Sequence, residues 1–379
     1  MPSSSTTPIS IVHIASGDLW AGAEVQMFTL VKALKDLQGV SVSVILMNHG
    51  ELENRLRKQR IAVTVFDESR LSSPGILKGI IKLLKETRPD VIHTHRLKEN
   101  VLGSIAAMLA GRIPSIRTVH GAPEHSFGPF QLHKRLLRQI DRIVGRHLQN
   151  RIIAVSEDLA DLLRKHYPHS RVYVIDNGIE ITTQDQKHVE SGHEDNTESE
   201  GINIGMAGRL VPIKRMDIFI QTARYLKDHY HDTPASFHIY GEGPLKSELE
   251  SLGVRLDTDN YVHFRGHVEN IPAELAQLDM LLLTSDHEGL PMILLEAMSC
   301  RVPIIAHAVG GIPELLDHGS CGFLINSQDP TEYAEAIQVL AHSPELRSAI
   351  ANRAYERVKR KYSADNNAIV YLSHYHAVC

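Results

Sequence analysis

The sequence predicts an α/β protein made of two parallel-sheet domains. Three observations carry this. Short apolar strands alternate with amphipathic helices along the chain, the alternation breaks once in a polar acidic stretch, and it then resumes. Residues 9–15 read as a strand and 16–23 as a loop. A helix follows over 24–37, with Val25, Phe28, Leu30, Val31 and Leu34 sharing its buried side. Strands at 41–47 and 61–66 come next, then a helix at 77–86, a strand at 90–94 and a helix at 101–110. A strand at 114–119, a long helix at 130–149 and strands at 151–155 and 171–175 complete the first half. Strands separated by helices are βαβ units, because parallel neighbours need a crossover between them.

The break is TTQDQKHVESGHEDNTESEGIN, at 182–203, which is polar and poor in large apolar residues. Strands resume at 202–208, 236–240, 261–265, 280–284 and 303–306, with helices between. The expected organisation is a first domain at 1–178, an acidic linker or loop at 179–201 and a second domain at 202–360. A last helix at 361–379 is expected to cross back to the first domain.

Composition narrows the class. A chain of 379 residues with 42% hydrophobic and 22% charged residues is an ordinary globular protein with room for two cores. Its apolar runs are core-sized and too short to span a bilayer. Residues 1–8 are Ser/Thr/Pro-rich and unlike a secretory signal. Three cysteines make no disulfide framework and suit a reducing compartment, so a cytoplasmic location is expected. The net charge of −5 divides into +8 over 1–178 and −13 over the remainder. Either the first half meets an anionic surface or acceptor, or the halves simply differ.

The chemistry-bearing motifs follow strands. His287-Glu288-Gly289-Leu290-Pro291 comes after the strand at 280–284, at the carboxyl end where open α/β sheets bind ligands. Gly289 permits close backbone approach, Pro291 fits a first helical position, and the free N–H groups of that helix start suit hydroxyls or an anion. Glu296 lies about 7.5 Å further along the helix axis than Pro291. Gly208-Arg209-Leu210-Val211-Pro212-Ile213-Lys214 ends another strand with a planar guanidinium and a point charge, a combination suited to a diphosphate. Gly241-Glu242-Gly243-Pro244 is a tight turn after a third strand. Each alone is an ordinary turn or surface charge; the ordered set is not.

Taken together, GRLVPIK, GEGP, FRGHV (264–268), HEGLPMILLEAMSCRVPIIA (287–306) and GGIPELL (310–316) resemble the donor domain of glycosyltransferase family 4, retaining enzymes of the GT-B fold. AGAE (21–24), DVIHTHRLKENVLGSIAA (90–107), TVHG (118–121), AVSE (154–157) and NGI (177–179) resemble its first domain, so nearly the whole chain is covered. The resemblance implies two Rossmann-like domains facing each other across a cleft that holds a nucleotide-sugar. It further implies that Arg209 and Lys214, next to Gly208, hold the diphosphate and stabilise the departing nucleotide. Glu296 would bond the ribose, and Glu288 with the backbone of Gly289 and Leu290 would meet the transferred sugar. Gly241 and the region of Val268 would cradle the base, uridine being the commoner case. Gly22 would touch the phosphates or sugar, and His120 would approach the sugar from the other domain. Ala21 stands where the family often has a first glycine, which alters the fine geometry of that loop. His93 and His95 alternate on a strand and should face opposite ways, His95 with Arg96 toward an acceptor. The acceptor expected is a saccharide or lipid-linked saccharide of cell-surface polysaccharide synthesis.

Two further features bear on metal use and location. Asp257-Thr258-Asp259 spells the tripeptide that metal-dependent transferases of another fold use, but it lies in a polar loop before a strand. Arg209 and Lys214 supply the charge a metal would, so no metal or other cofactor is expected. In 131–150, Leu132, Leu136, Ile140, Val144 and Leu148 form a stripe expected to pack on the sheet. Lys134, Arg138, Arg142 and Arg146 lie opposite, as a solvated basic face or one that docks on an anionic membrane surface. Attachment to the inner face of a membrane is therefore a second expectation for location. No nucleic-acid partner is expected. A nucleotide-sugar epimerase, a sugar phosphorylase or an inactive relative would share this architecture. A dehydrogenase is disfavoured, since neither first-strand turn reads G-x-G-x-x-G.

Overall fold

Every strand pairing is parallel in the computed structural model, which describes residues 8–18, 20–121, 132–181 and 201–379, the side chains of 132–135 excepted. The chain divides into two compact units, Met1–Glu180 with Tyr362–Cys379, and Ile181–Lys361. Residues 182–200 of the expected linker lie outside the described residues.

Unit 1 holds strands β1 (Ile9–Ala15), β2 (Val40–Leu46), β3 (Ala62–Val65), β4 (Val91–Thr94), β5 (Ser115–Val119), β6 (Arg151–Ala154) and β7 (Val172–Val174). Their order in the sheet is β3-β2-β1-β4-β5-β6-β7. Helices α1 (Gly22–Asp36), α2 (Glu51–Lys58), α3 (Ser73–Thr87), α4 (Leu97–Gly111), α5 (Leu132–His147) and α6 (Glu157–Arg164) make the crossovers. Strand order reverses between β1 and β4, the switch point at which such sheets open a crevice.

Unit 2 repeats the scheme. Its strands β8 (Ile202–Ala207), β9 (Ala235–Tyr240), β10 (Val262–Gly266), β11 (Met280–Leu283), β12 (Ile304–His307) and β13 (Phe323–Ile325) run in the order β10-β9-β8-β11-β12-β13. The reversal falls between β8 and β11. Its helices are α7 (Met216–His229), α8 (Lys246–Arg255), α9 (Ile271–Leu275), α10 (Met292–Ser299), α11 (Ile312–Leu315), α12 (Pro330–Ala341) and α13 (Pro344–Lys361).

The last helix, α14 (Ala364–His376), is part of unit 1. Ala364, Ala368, Tyr371 and Tyr375 join Ile9, Ile11, Leu30, Leu34 and Val91 in one buried cluster. The chain leaves and re-enters unit 1 side by side: Ile179 N–H donates to the Tyr362 carbonyl at 2.8 Å, and Ala364 N–H to the Ile179 carbonyl at 2.8 Å. This explains the glycine of the NGI motif, because a Cβ at Gly178 would sit 2.8 Å from the Cβ of Asn367.

Helix α5 departs from expectation. Its sheet-facing side is set by Asp141, whose carboxylate takes the Arg117 guanidinium of β5 at 2.9 Å and the Asn100 amide of α4 at 2.7 Å, all buried. Val144 is buried with it, and Gly145 lies so close to the Tyr167 ring that a Cβ there would be 2.5 Å away. That rotation turns much of the expected core stripe outward. Of that stripe Leu136 is 57% exposed and Ile140 36%, and Ile143, outside it, is 60% exposed. On the flank, the Arg146 guanidinium donates to the His166 carbonyl at 2.8 Å and Arg142 approaches the His166 ring. Gln131 and the side chains of Leu132 and Lys134 lie outside the described residues.

Arg117→Met should lower stability by about 3–5 kcal/mol, since it leaves a buried carboxylate without its cation, whereas adding Asp141→Leu should recover most of the loss. Urea unfolding of the two variants checks this; equal losses would mean that the charge pair does not set the cost.

Candidate active site

The loops after β8, β9 and β11 meet over the switch point of unit 2, and glycines let them. Gly208 (φ +155°) and Gly241 (φ +132°) lie against each other, so that a Cβ on Gly241 would be 2.0 Å from the Gly208 carbonyl oxygen. Gly310 (φ +57°) is pressed onto the Glu288 carbonyl, where a Cβ would stand at 1.8 Å, and Gly311 N–H donates to the Gly289 carbonyl at 2.9 Å. The GGIPELL motif thus supports the backbone of 288–289 from behind. The buried Thr284 hydroxyl lies 3.1 Å from the Lys214 carbonyl and 2.8 Å from that of Arg215. Asp286 N–H donates to the Ile213 carbonyl at 2.8 Å, so the β8 and β11 loops are fastened together.

On this frame Lys214 and Glu288 form an ion pair, Nζ to Oε1 at 2.6 Å, with side chains only 21% and 10% exposed. The two were expected to serve a diphosphate and a sugar separately; the structure joins them. Arg209 projects into solvent from the same loop without an ion-pair partner among the described residues. Leu290 is buried, and Pro291 caps α10 in extended conformation (ψ 121°), so the helix starts at Met292, one residue later than expected. Glu296 lies in its second turn, partly open to solvent, and desolvation by surrounding protein pushes its carboxyl up to about 7. Val268 is half-buried just beyond β10. Asp257 and Asp259 lie before the edge strand β10, at the amino ends of the parallel strands, whereas Lys214 follows β8 at their carboxyl ends. Asp257 (φ +52°) pairs with Arg224 at 3.4 Å, and the buried Thr258 hydroxyl donates to the Gly253 carbonyl.

At the switch point of unit 1 the feature is a row of imidazoles. His13 on β1 pairs in register with His93 on β4. His13 Nδ1 lies 2.9 Å from His95 Nε2, and His95 Nδ1 lies 3.1 Å from His120 Nε2. His93 spends Nδ1 on the Tyr375 hydroxyl at 2.7 Å and Nε2 on the Thr118 hydroxyl at 2.8 Å. The expected alternation of His93 and His95 fails because β4 ends at Thr94; both are buried and their rings stack at 4.4 Å. His95 is therefore buried, with both its nitrogens engaged by neighbouring imidazoles. Burial lowers the imidazoles of His13 and His120 to about 3 and those of His93 and His95 well below their usual value. Arg96 bonds Glu24, a buried carboxyl that desolvation raises against the pull of that guanidinium. Gly22 opens α1 and is exposed. His13, the Arg96–Glu24 pair and the Lys214–Glu288 pair are not legible in the sequence, because all depend on register between distant strands.

Two family models cover the two units: glycosyltransferase family 4 matches residues 20–183, and glycosyl transferases group 1 matches residues 201–343. The chain belongs to glycosyltransferase family 4. It is thus a glycosyltransferase with the GT-B fold of two Rossmann-like units. Among curated relatives, the N-acetyl-alpha-D-glucosaminyl L-malate synthase of Bacillus anthracis is 26% identical over 76% of this chain and 75% of its own. The UDP-Gal:alpha-D-GlcNAc-diphosphoundecaprenol alpha-1,3-galactosyltransferase of Escherichia coli is 26% identical over 88% of each. The Anabaena protein HepE, crystallised with UDP, superposes with a TM-score of 0.80 at 22% identity over 97% of this chain and 100% of that one; a further HepE structure carries UDP-glucose.

The raised Glu296 carboxyl couples the stability of this transferase to pH. Its folded-state value lies above the unfolded one, so the protonated form stabilises the fold fully at low pH, and this contribution is lost as pH rises through about 7. Glu296→Gln should therefore be more stable than wild type at pH 8 by about 1–3 kcal/mol, and the gap should close toward pH 5. Thermal melts across that range decide it; a constant gap would point to packing instead.

Proposed function

We propose that this enzyme transfers a hexose-type sugar from a UDP-sugar to a saccharide or lipid-linked acceptor, with retention of anomeric configuration, in cell-surface polysaccharide synthesis. The observation that carries the reading is the Lys214–Glu288 pair beside the exposed Arg209, at the carboxyl ends of β8 and β11. A cation already oriented by a carboxylate is preorganised for the charge that grows on a leaving diphosphate. The C1–O bond breaks toward that phosphate, Arg209 and Lys214 take up its charge, and the acceptor hydroxyl attacks the same face, its proton leaving with the phosphate. Glu296 accepts from the ribose hydroxyls, Glu288 and the 289–290 backbone meet the sugar, and Gly241 with Val268 borders the base. In unit 1, His120 is assigned to the sugar and Gly22 to the phosphates. No metal is assigned a part, because Arg209 and Lys214 carry the charge. The nucleotides in the HepE structures and the UDP-galactose and lipid-linked acceptor named for the Escherichia coli relative support the choice of donor and acceptor class.

With a panel of UDP-sugars and lipid-linked acceptors, Lys214→Ala and Arg209→Ala should each lower kcat/KM about 100-fold or more, and EDTA should leave turnover unchanged. Unaltered turnover in either variant removes that residue from the site, and loss on chelation reversed by manganese reopens the metal question.

We also assign α5 to an anionic membrane surface. Leu136, Ile140 and Ile143 lie exposed at i, i+4 and i+7, flanked by Arg142 and Arg146, which is the pattern of a helix lying in a lipid interface. Among the described residues no helix is long and apolar enough to cross a membrane. Wild type should float with anionic vesicles at low salt, and the triple variant Leu136→Ser, Ile140→Ser, Ile143→Ser should stay at the bottom while keeping its melting temperature. Wild type that never floats overturns the assignment.

A further inference from the structure

The row His13–His95–His120 has consequences for the proton on His120. Each of its two contacts joins one ring nitrogen to another, and burial keeps the rings neutral, so each ring carries one proton. Only two arrangements then satisfy both contacts. In one, every proton points toward His13, which leaves His13 Nε2 as an N–H and His120 Nδ1 as a bare acceptor. In the other, every proton points toward His120, which leaves His13 Nε2 bare and His120 Nδ1 as an N–H. Both terminal atoms are buried and lack a hydrogen-bond partner among the described residues.

The ends differ in surroundings. His13 is 0% exposed in the middle of a central strand, whereas His120 is mostly but not fully buried, just beyond the carboxyl end of β5. A buried N–H without an acceptor is the rarer and costlier orphan, so the proton belongs at the end of the row that lies toward the carboxyl ends of the strands, where such sheets take ligands. His93 does not disturb the row, because Tyr375 and Thr118 occupy both its nitrogens. The ligand atoms of His13, His93 and His95 also lie within 4.8 Å of one another, as a metal site would need. Here every ring nitrogen of the three but His13 Nε2 is engaged in a hydrogen bond, and a metal held by all three rings would have to break those of His93 and His95.

We propose that His13 and His95 are positioning residues that hold His120 as its Nδ1–H tautomer, so that a neutral N–H meets an oxygen of the bound sugar. The relay works through tautomers: His13 Nδ1–H donates to His95 Nε2, and His95 Nδ1–H donates to His120 Nε2. The choice at His120 is thus made two residues away, on another strand. The part concerning the sugar rests on the role proposed above for His120; the tautomer itself does not.

The test uses the full-length enzyme labelled with 15N in its histidine rings, read by two-bond proton–nitrogen correlation at pH 7. His120 is expected to be protonated at Nδ1 in wild type. His13→Leu removes the first donor and should move His120 toward the Nε2–H form, with kcat reduced about tenfold and donor KM little changed, as for one lost hydrogen bond. His13→Asn, whose amide N–H stands near the position of Nδ1, should restore both readouts. Wild-type His120 protonated at Nε2, or a His120 spectrum unmoved in His13→Leu, overturns the proposal. Should His13→Leu fail to fold, the wild-type spectrum and the His13→Asn variant still decide it. A correct tautomer in a protein that binds no UDP-sugar would instead sink the donor assignment and leave the relay standing.

Discussion

Loops without side chains at their crossing points are the constraint on which unit 2 depends. Were Gly241 to carry a methyl group, it would stand 2.0 Å from the Gly208 carbonyl oxygen; at Gly310 the distance to Glu288 would be 1.8 Å. Neither is relieved by a rotamer change, because the obstruction is backbone. With those glycines the loops close on one another, Thr284 and Asp286 fasten the β8 loop to the end of β11, and the Lys214–Glu288 pair falls at a fixed place. The charges are positioned by backbone geometry first and by each other second.

Unit 1 solves the same problem differently. Its switch point is filled by polar groups that bond one another and leave only His13 Nε2 and His120 Nδ1 over among the ring nitrogens: four histidines, the Thr118 hydroxyl and the hydroxyls of Tyr371 and Tyr375. Such a network is costly if broken and specific if complete, because each buried polar atom has few alternative partners. It also ties β1, β4 and β5 to α14, so the order of the strand ends depends on a helix contributed from far along the chain.

Much of this was legible in the sequence. The alternation of apolar strands and helices marked both sheets, since each strand is buried on two faces and reads as a short apolar run. Helix α2 carries little apolar signal, because its buried residues are just Leu52 and Leu56 in a highly charged segment. In α5 the periodicity correctly grouped Leu136 with Ile140 but assigned the group to the wrong side. Spacing tells which residues share a face, not which face is inward, and a buried Asp141–Arg117 pair made that choice. The charged residues of the 208–214 and 288–296 motifs could be named in advance, whereas the pairing of Lys214 with Glu288 could not. Nor could the histidine row, for His13 and His93 stand 80 residues apart in the chain and meet through strand register alone.

The return of α14 to unit 1 bears on how the molecule is made. A ribosome releases residues in order, and domains close as their parts emerge. Unit 2 has all its strands and helices by Lys361, while the cluster around Ile11 and Leu34 still lacks Ala368, Tyr371 and Tyr375. The domain begun first is therefore the one finished last, and throughout synthesis of the second domain it presents an uncovered apolar surface. A nascent chain stalled short of residue 364 would be a natural client for chaperones.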